Sequence, residues 1–227
     1  MPAQTIPVLD LTHFTPDHPA EQRFARELGE ALTELGFFAL VNHGVDQELI
    51  RRSYDAVERF FTQPEAVKRR YERLELKGQR GFTSFGREHA KDHPAPDLKE
   101  FWHVGRESEP GHPLPAGYPA NIWPAEVPGF QAALSELYRQ LDHCAARLLE
   151  ATALYLGEPR GLLSDMARDG NTILRVIHYP PVPEEADPAS MRAAPHEDIN
   201  LITLLCEATA GGLELLTRDG RWLPISA

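Results

Sequence analysis

The feature that most constrains this chain is a change of hydrophobic period near residue 170. Before it, apolar residues recur at three- and four-residue spacing. Phe24, Ala25, Leu28, Ala31, Leu32 and Leu35 do so within 20–35, and Leu49, Ile50, Tyr54, Val57, Phe60 and Phe61 within 46–61. A third stripe, from Phe130 through Leu134, Leu137, Leu141 and Leu148 to Leu149, predicts a long helix over 128–156. Such spacing gives each helix one apolar face that must be buried. A shorter charged helix is expected over 64–73. Strands are expected at 6–11 and 37–41, and at 97–104 inside a loop-rich stretch, 77–128, heavy in proline and glycine. After Gly170 the period shortens. Residues 172–179 and 196–206 read as strands, and 213–217 pairs with 221–225 as a hairpin across Asp219-Gly220. Helices first and strands last make an α+β chain.

The balance of charge narrows the function. The net charge is −11 and no Lys/Arg cluster forms a phosphate footprint, so nucleic acid is not an expected partner. The two cysteines, Cys144 and Cys206, lack a C-x-x-C spacing and read as small core residues rather than a disulfide or zinc framework. No apolar run approaches the ~20 residues of a membrane span. The opening Met1-Pro2-Ala3-Gln4 is not a basic region leading into an apolar stretch, so no secretory signal is read. A cytoplasmic enzyme or binding protein acting on a small molecule is the expectation. The oligomeric state is not legible.

The stretch that carries chemistry is Pro195-His196-Glu197-Asp198-Ile199-Asn200-Leu201-Ile202-Thr203-Leu204-Leu205. On a strand, His196 and Asp198 face the same side, about 6.5–7 Å apart at Cα, and Glu197 faces away. One imidazole and one carboxylate are two thirds of the facial triad that holds non-haem Fe(II) while leaving positions open for a co-substrate and dioxygen. The tripeptide alone is not specific. With 10 histidines in 227 residues and the aspartates present, about 0.5 His-x-Asp is expected by chance. Its place, after a polar loop ending in Pro195 and before an apolar strand, is what singles it out.

Taken with other segments in order, this stretch resembles the iron(II)/2-oxoglutarate-dependent dioxygenase superfamily, isopenicillin N synthase-like branch. Ile6-Pro7-Val8-Leu9-Asp10-Leu11 is similar to the family's opening strand. Gly36-Phe37-Phe38-Ala39-Leu40-Val41-Asn42-His43-Gly44 is similar to its glycine-to-glycine segment. Arg80-Gly81-Phe82, Lys99-Glu100-Phe101, Asn121-Ile122-Trp123-Pro124, Arg175 to Pro180, and Gly212 to Ile225 follow at suitable intervals.

The resemblance implies an N-terminal helical region plus an incomplete double-stranded β-helix (jelly roll). It divides the chain into an N-terminal non-haem dioxygenase region, 1–127, and the long helix with the first part of the iron-binding β-helix, 128–227. It implies His196 and Asp198 as metal ligands, Fe(II) as cofactor, 2-oxoglutarate as co-substrate and dioxygen as oxidant. Tyr179 matches a tyrosine facing co-substrate or substrate; the alternative is a strand tyrosine packing in the core. Arg80 matches a region contacting substrate carboxylate; the alternative is an exposed loop arginine. His43 and His178 are read as structural.

The family's third ligand, a histidine, and its Arg-x-Ser pair do not occur among the 29 residues after Asp198, so the chain is expected to be truncated before the third ligand. Two further readings stay open: an isopenicillin N synthase-like oxidase working without 2-oxoglutarate, and a non-catalytic remnant acting as a binding protein.

Overall fold

The computed structural model describes residues 5–88, 97–108, 111, 113–182, 184–186, 190–206 and 209–225. The chain forms two compact units, each discontinuous in sequence. One is Met1–Val45, Leu141–Arg168 and Ile202–Ala227; the other is Asp46–Gln140 and Asp169–Leu201.

In the first unit, strand β1 (Val8–Asp10) pairs in parallel with β2 (Ala39–Val41), with Leu9 opposite Leu40. Helix α1 (Glu21–Glu34) connects them and buries Phe24, Ala25, Leu28 and Ala31, the stripe its spacing predicts. Asp10 fastens the C-terminal end of the β1–β2 pair. Its Oδ1 accepts the Thr12 N–H at 2.9 Å, and its Oδ2 accepts from Asn42 Nδ2 at 2.8 Å. Asn42 sits at φ +53° and Gly44 at φ +80°, both in the left-handed region where short polar residues and glycine are tolerated. His43 Nδ1 accepts the Val45 N–H at 3.1 Å, so Asn42-His43-Gly44 is a turn and its histidine is spent on the turn. Helix α5 (Leu162–Arg168), short and not anticipated, also lies here, and β6 (Glu214–Leu216) pairs with β7 (Trp222–Pro224) as the expected hairpin.

The second unit is built on an antiparallel sheet in the order β3 (Gly81–Thr83), β4 (Glu100–Gly105), β5 (Ile173–His178). Phe82, Trp102 and Val176 lie side by side across it. Helix α2 (Gln47–Phe61) starts at Asp46, whose Oδ1 caps the Glu48 N–H at 2.9 Å, and buries Leu49, Ile50, Val57, Phe60 and Phe61. Phe60 lies within an aromatic cluster, its ring centroid 4.8 Å from Trp102, 5.7 Å from Phe82 and 5.8 Å from Phe130. Phe130 opens the long helix α4 (Phe130–Tyr155), which runs through the division between the units at Gln140/Leu141.

Two expectations need correction. The charged helix over 64–73 is only one turn, α3 (Glu65–Lys68), followed by a 3-10 turn at Arg69–Tyr71. Lys68 is drawn inward to Glu100, 2.6 Å away, so the run expected as a charged helix carries a buried ion pair. The larger correction concerns 196–206, which is not a strand among the described residues; no strand of the three sheets pairs with it. A strand exists through its ladder, and β5, at the edge of its sheet, gains no partner on its outer side among the described residues. Ile199 and Leu205 are accordingly 99% and 70% exposed. No helix among the described residues is long and apolar enough to cross a membrane.

Candidate active site

The candidate ligands are brought together without the strand that was expected to align them. His196 Nε2 lies 3.6 Å from Asp198 Oδ1, and both side chains are about half exposed. His196 Nδ1 lies 2.8 Å from the Ala194 carbonyl oxygen. A carbonyl oxygen can only accept, so Nδ1 is the protonated nitrogen, and a neutral ring presents its Nε2 lone pair towards the carboxylate. A backbone carbonyl on the far nitrogen is one of the usual ways a metal-binding histidine is held. Two atoms each about 2.1 Å from one ion can be no more than about 4.2 Å apart, so the pair fits a shared metal. Glu197 is exposed between them. Among the described residues no group of three His, Cys, Asp or Glu side chains converges.

The backbone that carries the pair is anchored to the residues just ahead of β4. Leu98 N–H bonds to the Met191 carbonyl at 2.8 Å, and Ala194 N–H to Asp97 Oδ1 at 3.2 Å. Leu98 spends its N–H on the ligand-bearing segment and Asp97 spends its own on the Glu88 carbonyl at 2.8 Å, and β4 begins only at Glu100. Asp97 and Lys99 are buried and joined at 2.9 Å. Lys99 also meets Glu88 at 2.8 Å, and Glu88 takes Arg175 Nη2 at 3.0 Å. Burial works against the charge on Lys99, but Asp97 and Glu88 overcome it and hold its pKa above the usual lysine value. Glu88 is likewise held below the usual carboxylate range, its burial outweighed by Lys99 and Arg175.

Tyr179 follows β5 immediately and is 38% exposed. Burial first, then the nearby negative charges of Asp97 and Glu88, raise its pKa against the opposing Lys99 and Arg175. Its hydroxyl therefore stays protonated beside this charge cluster. The neighbouring His178 is turned to Glu100 Oε1 at 2.8 Å and stacks on Phe61, a structural position.

Arg80 is elsewhere and is not an exposed loop arginine: it is fully buried. Nη1 donates to the Gln79 carbonyl at 2.7 Å and Nη2 to Asn171 Oδ1 at 2.9 Å. Its guanidinium lies over Gly105, where a Cβ would fall 1.9 Å from Cζ. The glycine is what gives the arginine room, a pairing across 25 residues that sequence spacing does not display.

His103, which its place in the sequence does not single out, is locked in the same cluster. Nδ1 donates to the Gly78 carbonyl at 2.6 Å and Nε2 accepts from Arg175 Nε at 2.6 Å. Burial first, and then the Arg175 charge, push its pKa down to about 4. A histidine titrating near 4 in the fold and near 6.5 unfolded binds fewer protons when folded across that window. Its stabilising contribution is complete above about 6.5 and is lost as pH falls towards 4, on the order of 3 kcal/mol. Urea unfolding at stepped pH should show this slope in the native chain and a flatter one in His103→Gln, which can still donate to Gly78 and accept from Arg175. Parallel slopes would remove His103 from the account.

Two family models match the chain: the non-haem dioxygenase in morphine synthesis N-terminal region over residues 6–126, and the 2OG-Fe(II) oxygenase superfamily over 170–227. A 2-oxoglutarate-Fe(II) type oxidoreductase of Aspergillus fumigatus is 30% identical, over 98% of this chain and 68% of its own length. Proline hydroxylase buaE of Petromyces alliaceus is also 30% identical, over 96% of this chain and 70% of its own. Among solved structures, a 2OG-Fe(II) oxygenase family protein from Caulobacter crescentus superposes with a TM-score of 0.83 at 42% identity, covering 98% of this chain and 70% of that one. A full-length Neurospora crassa protein in complex with alpha-KG and thymine gives 0.82 at 27% identity, covering 98% and 70%. The α+β architecture, the ordered motifs and these matches agree: the chain belongs to the 2-oxoglutarate- and Fe(II)-dependent oxygenase superfamily, whose members are oxidoreductases using iron, 2-oxoglutarate and dioxygen.

Proposed function

We propose that His196 and Asp198 hold Fe(II) in this chain and that Tyr179 faces the co-substrate or the substrate, a small organic molecule oxidised at the expense of 2-oxoglutarate and dioxygen. The observation that carries the reading is the His196 ring itself, fixed through Nδ1 by the Ala194 carbonyl so that Nε2 meets Asp198. When bound, Fe(II) supplies the binding and activation of dioxygen; the protein supplies orientation and shelter. The Neurospora protein's complex with thymine supports a substrate of small-molecule size. Arg80 spends two of its nitrogens inside the fold, and we assign it to packing rather than to substrate. We read residues 1–127 as the N-terminal region and 128–227 as the iron-binding part, in a cytoplasmic protein.

The test is oxygen uptake with Fe(II), with and without 2-oxoglutarate, together with succinate. The account expects uptake matched by succinate and abolished when either Fe(II) or 2-oxoglutarate is left out. Uptake that is indifferent to 2-oxoglutarate would instead support the isopenicillin N synthase-like chemistry. Indifference to iron would reject both.

A further inference from the structure

We infer that Asp97 is a positioning residue for His196, acting through the peptide of Ala194. The inference rests on His196 as a ligand only for its metal arm. Asp97 is buried, and its two oxygens are divided: Oδ2 is held by Lys99 Nζ at 2.9 Å, and Oδ1 accepts the Ala194 N–H at 3.2 Å. Ala194 is buried too, and its carbonyl receives His196 Nδ1 at 2.8 Å. One carboxylate thus sits between a fixed lysine and the residue whose carbonyl selects the histidine tautomer. The lysine is fixed in turn, because Glu88 binds it at 2.8 Å and takes Arg175 of β5 at 3.0 Å.

His196 needs such a device because it has no strand to orient it. Residues 196–198 lie outside every ladder among the described residues, and the His196 side chain is half exposed. A free imidazole populates both neutral tautomers, and only the Nδ1–H form offers Nε2 to a metal beside Asp198. Removing the Asp97 carboxylate leaves the Ala194 N–H buried without its acceptor, and the segment must shift to find another. The carbonyl that holds His196 shifts with it.

The experiment reads two signals in the same chain: the ring-nitrogen chemical shifts of His196 without metal, and the dissociation constant of Mn(II). The native chain should show the Nδ1–H tautomer. Asp97→Ala should show a mixture and bind Mn(II) roughly tenfold more weakly, the size usual for outer contacts of a metal ligand. Asp97→Asn keeps the side-chain volume, should the alanine variant fail to fold. Its single amide oxygen can serve Lys99 or Ala194 but not both, so an intermediate shift is expected. Glu88→Gln, which leaves the Asp97–Ala194 bond in place, should leave the His196 tautomer unchanged.

If folded Asp97→Ala matches the native chain in both signals, the relay is wrong, and Mn(II) binding at His196 in the same samples would leave the metal reading standing. If the tautomer responds to Asp97 but the native chain binds no Mn(II), the relay stands and the metal reading falls. A tautomer change of the same size in Glu88→Gln, where the Asp97–Ala194 bond is kept, would show a general structural effect and overturn the relay.

Discussion

Replacing Phe60 by alanine is expected to lower the unfolding free energy by about 3–5 kcal/mol, the range for truncating a fully buried aromatic. Phe60 has no exposed surface, and its ring meets Phe61, Tyr71, Phe82, Trp102 and Phe130 at centroid distances of 4.8–6.1 Å. Several contacts are edge-on, an arrangement that adds to area burial. The void left by alanine would be lined by rings on α2, β3, β4 and α4, elements that cannot all close on it. Phe37→Ala, at a half-exposed position, should change stability by no more than about 0.5 kcal/mol. Urea unfolding of the two variants beside the native chain checks this. Similar losses in both would mean that the aromatic cluster is not where the second unit keeps its stability.

That cluster shows what was legible in the sequence. The stripes on α1, α2 and α4 name most of the buried residues, Tyr54 of α2 being the exposed exception, because a helix records its buried face within a few neighbouring residues. The Asp219-Gly220 hairpin is legible for the same reason: its signal is local. β3 was missed because three residues are too few to show a period, and what defines it is pairing with β4 some twenty residues on. The buried charges were missed for a related reason. Lys68, Asp97, Lys99 and Glu100 look like surface residues until the fold supplies each with a partner. The strand at 196–206 was the error of most consequence. Its apolar run is real, but an apolar run does not supply a partner strand, and among the described residues none of the three sheets takes it up. Residue identity pointed to His196 and Asp198 even so, through chemistry and order along the chain rather than through the geometry first assumed for them.

Loss of Asp198 is expected to be the most damaging single change to the site. With two candidate ligands facing each other at 3.6 Å, Asp198→Ala leaves one imidazole, which cannot hold a divalent ion alone in competition with water. Glu197 lies between them in sequence and is equally acidic, but it has no place in the pair. Asp198→Ala should therefore abolish binding at this site, while Glu197→Ala should leave it within about twofold. The comparison removes one negative charge in each case, so a general attraction of cations to an acidic chain cancels.

The most direct measurement is a titration of the native chain with Mn(II), a divalent ion suited to oxygen and nitrogen ligands, followed residue by residue through paramagnetic broadening of its NMR signals. Broadening is predicted to centre on His196 and Asp198, to vanish from both positions in Asp198→Ala and His196→Ala, and to persist in Glu197→Ala. Broadening centred elsewhere, or lost equally in Asp198→Ala and Glu197→Ala, would contradict the assignment of this pair as the iron-binding site.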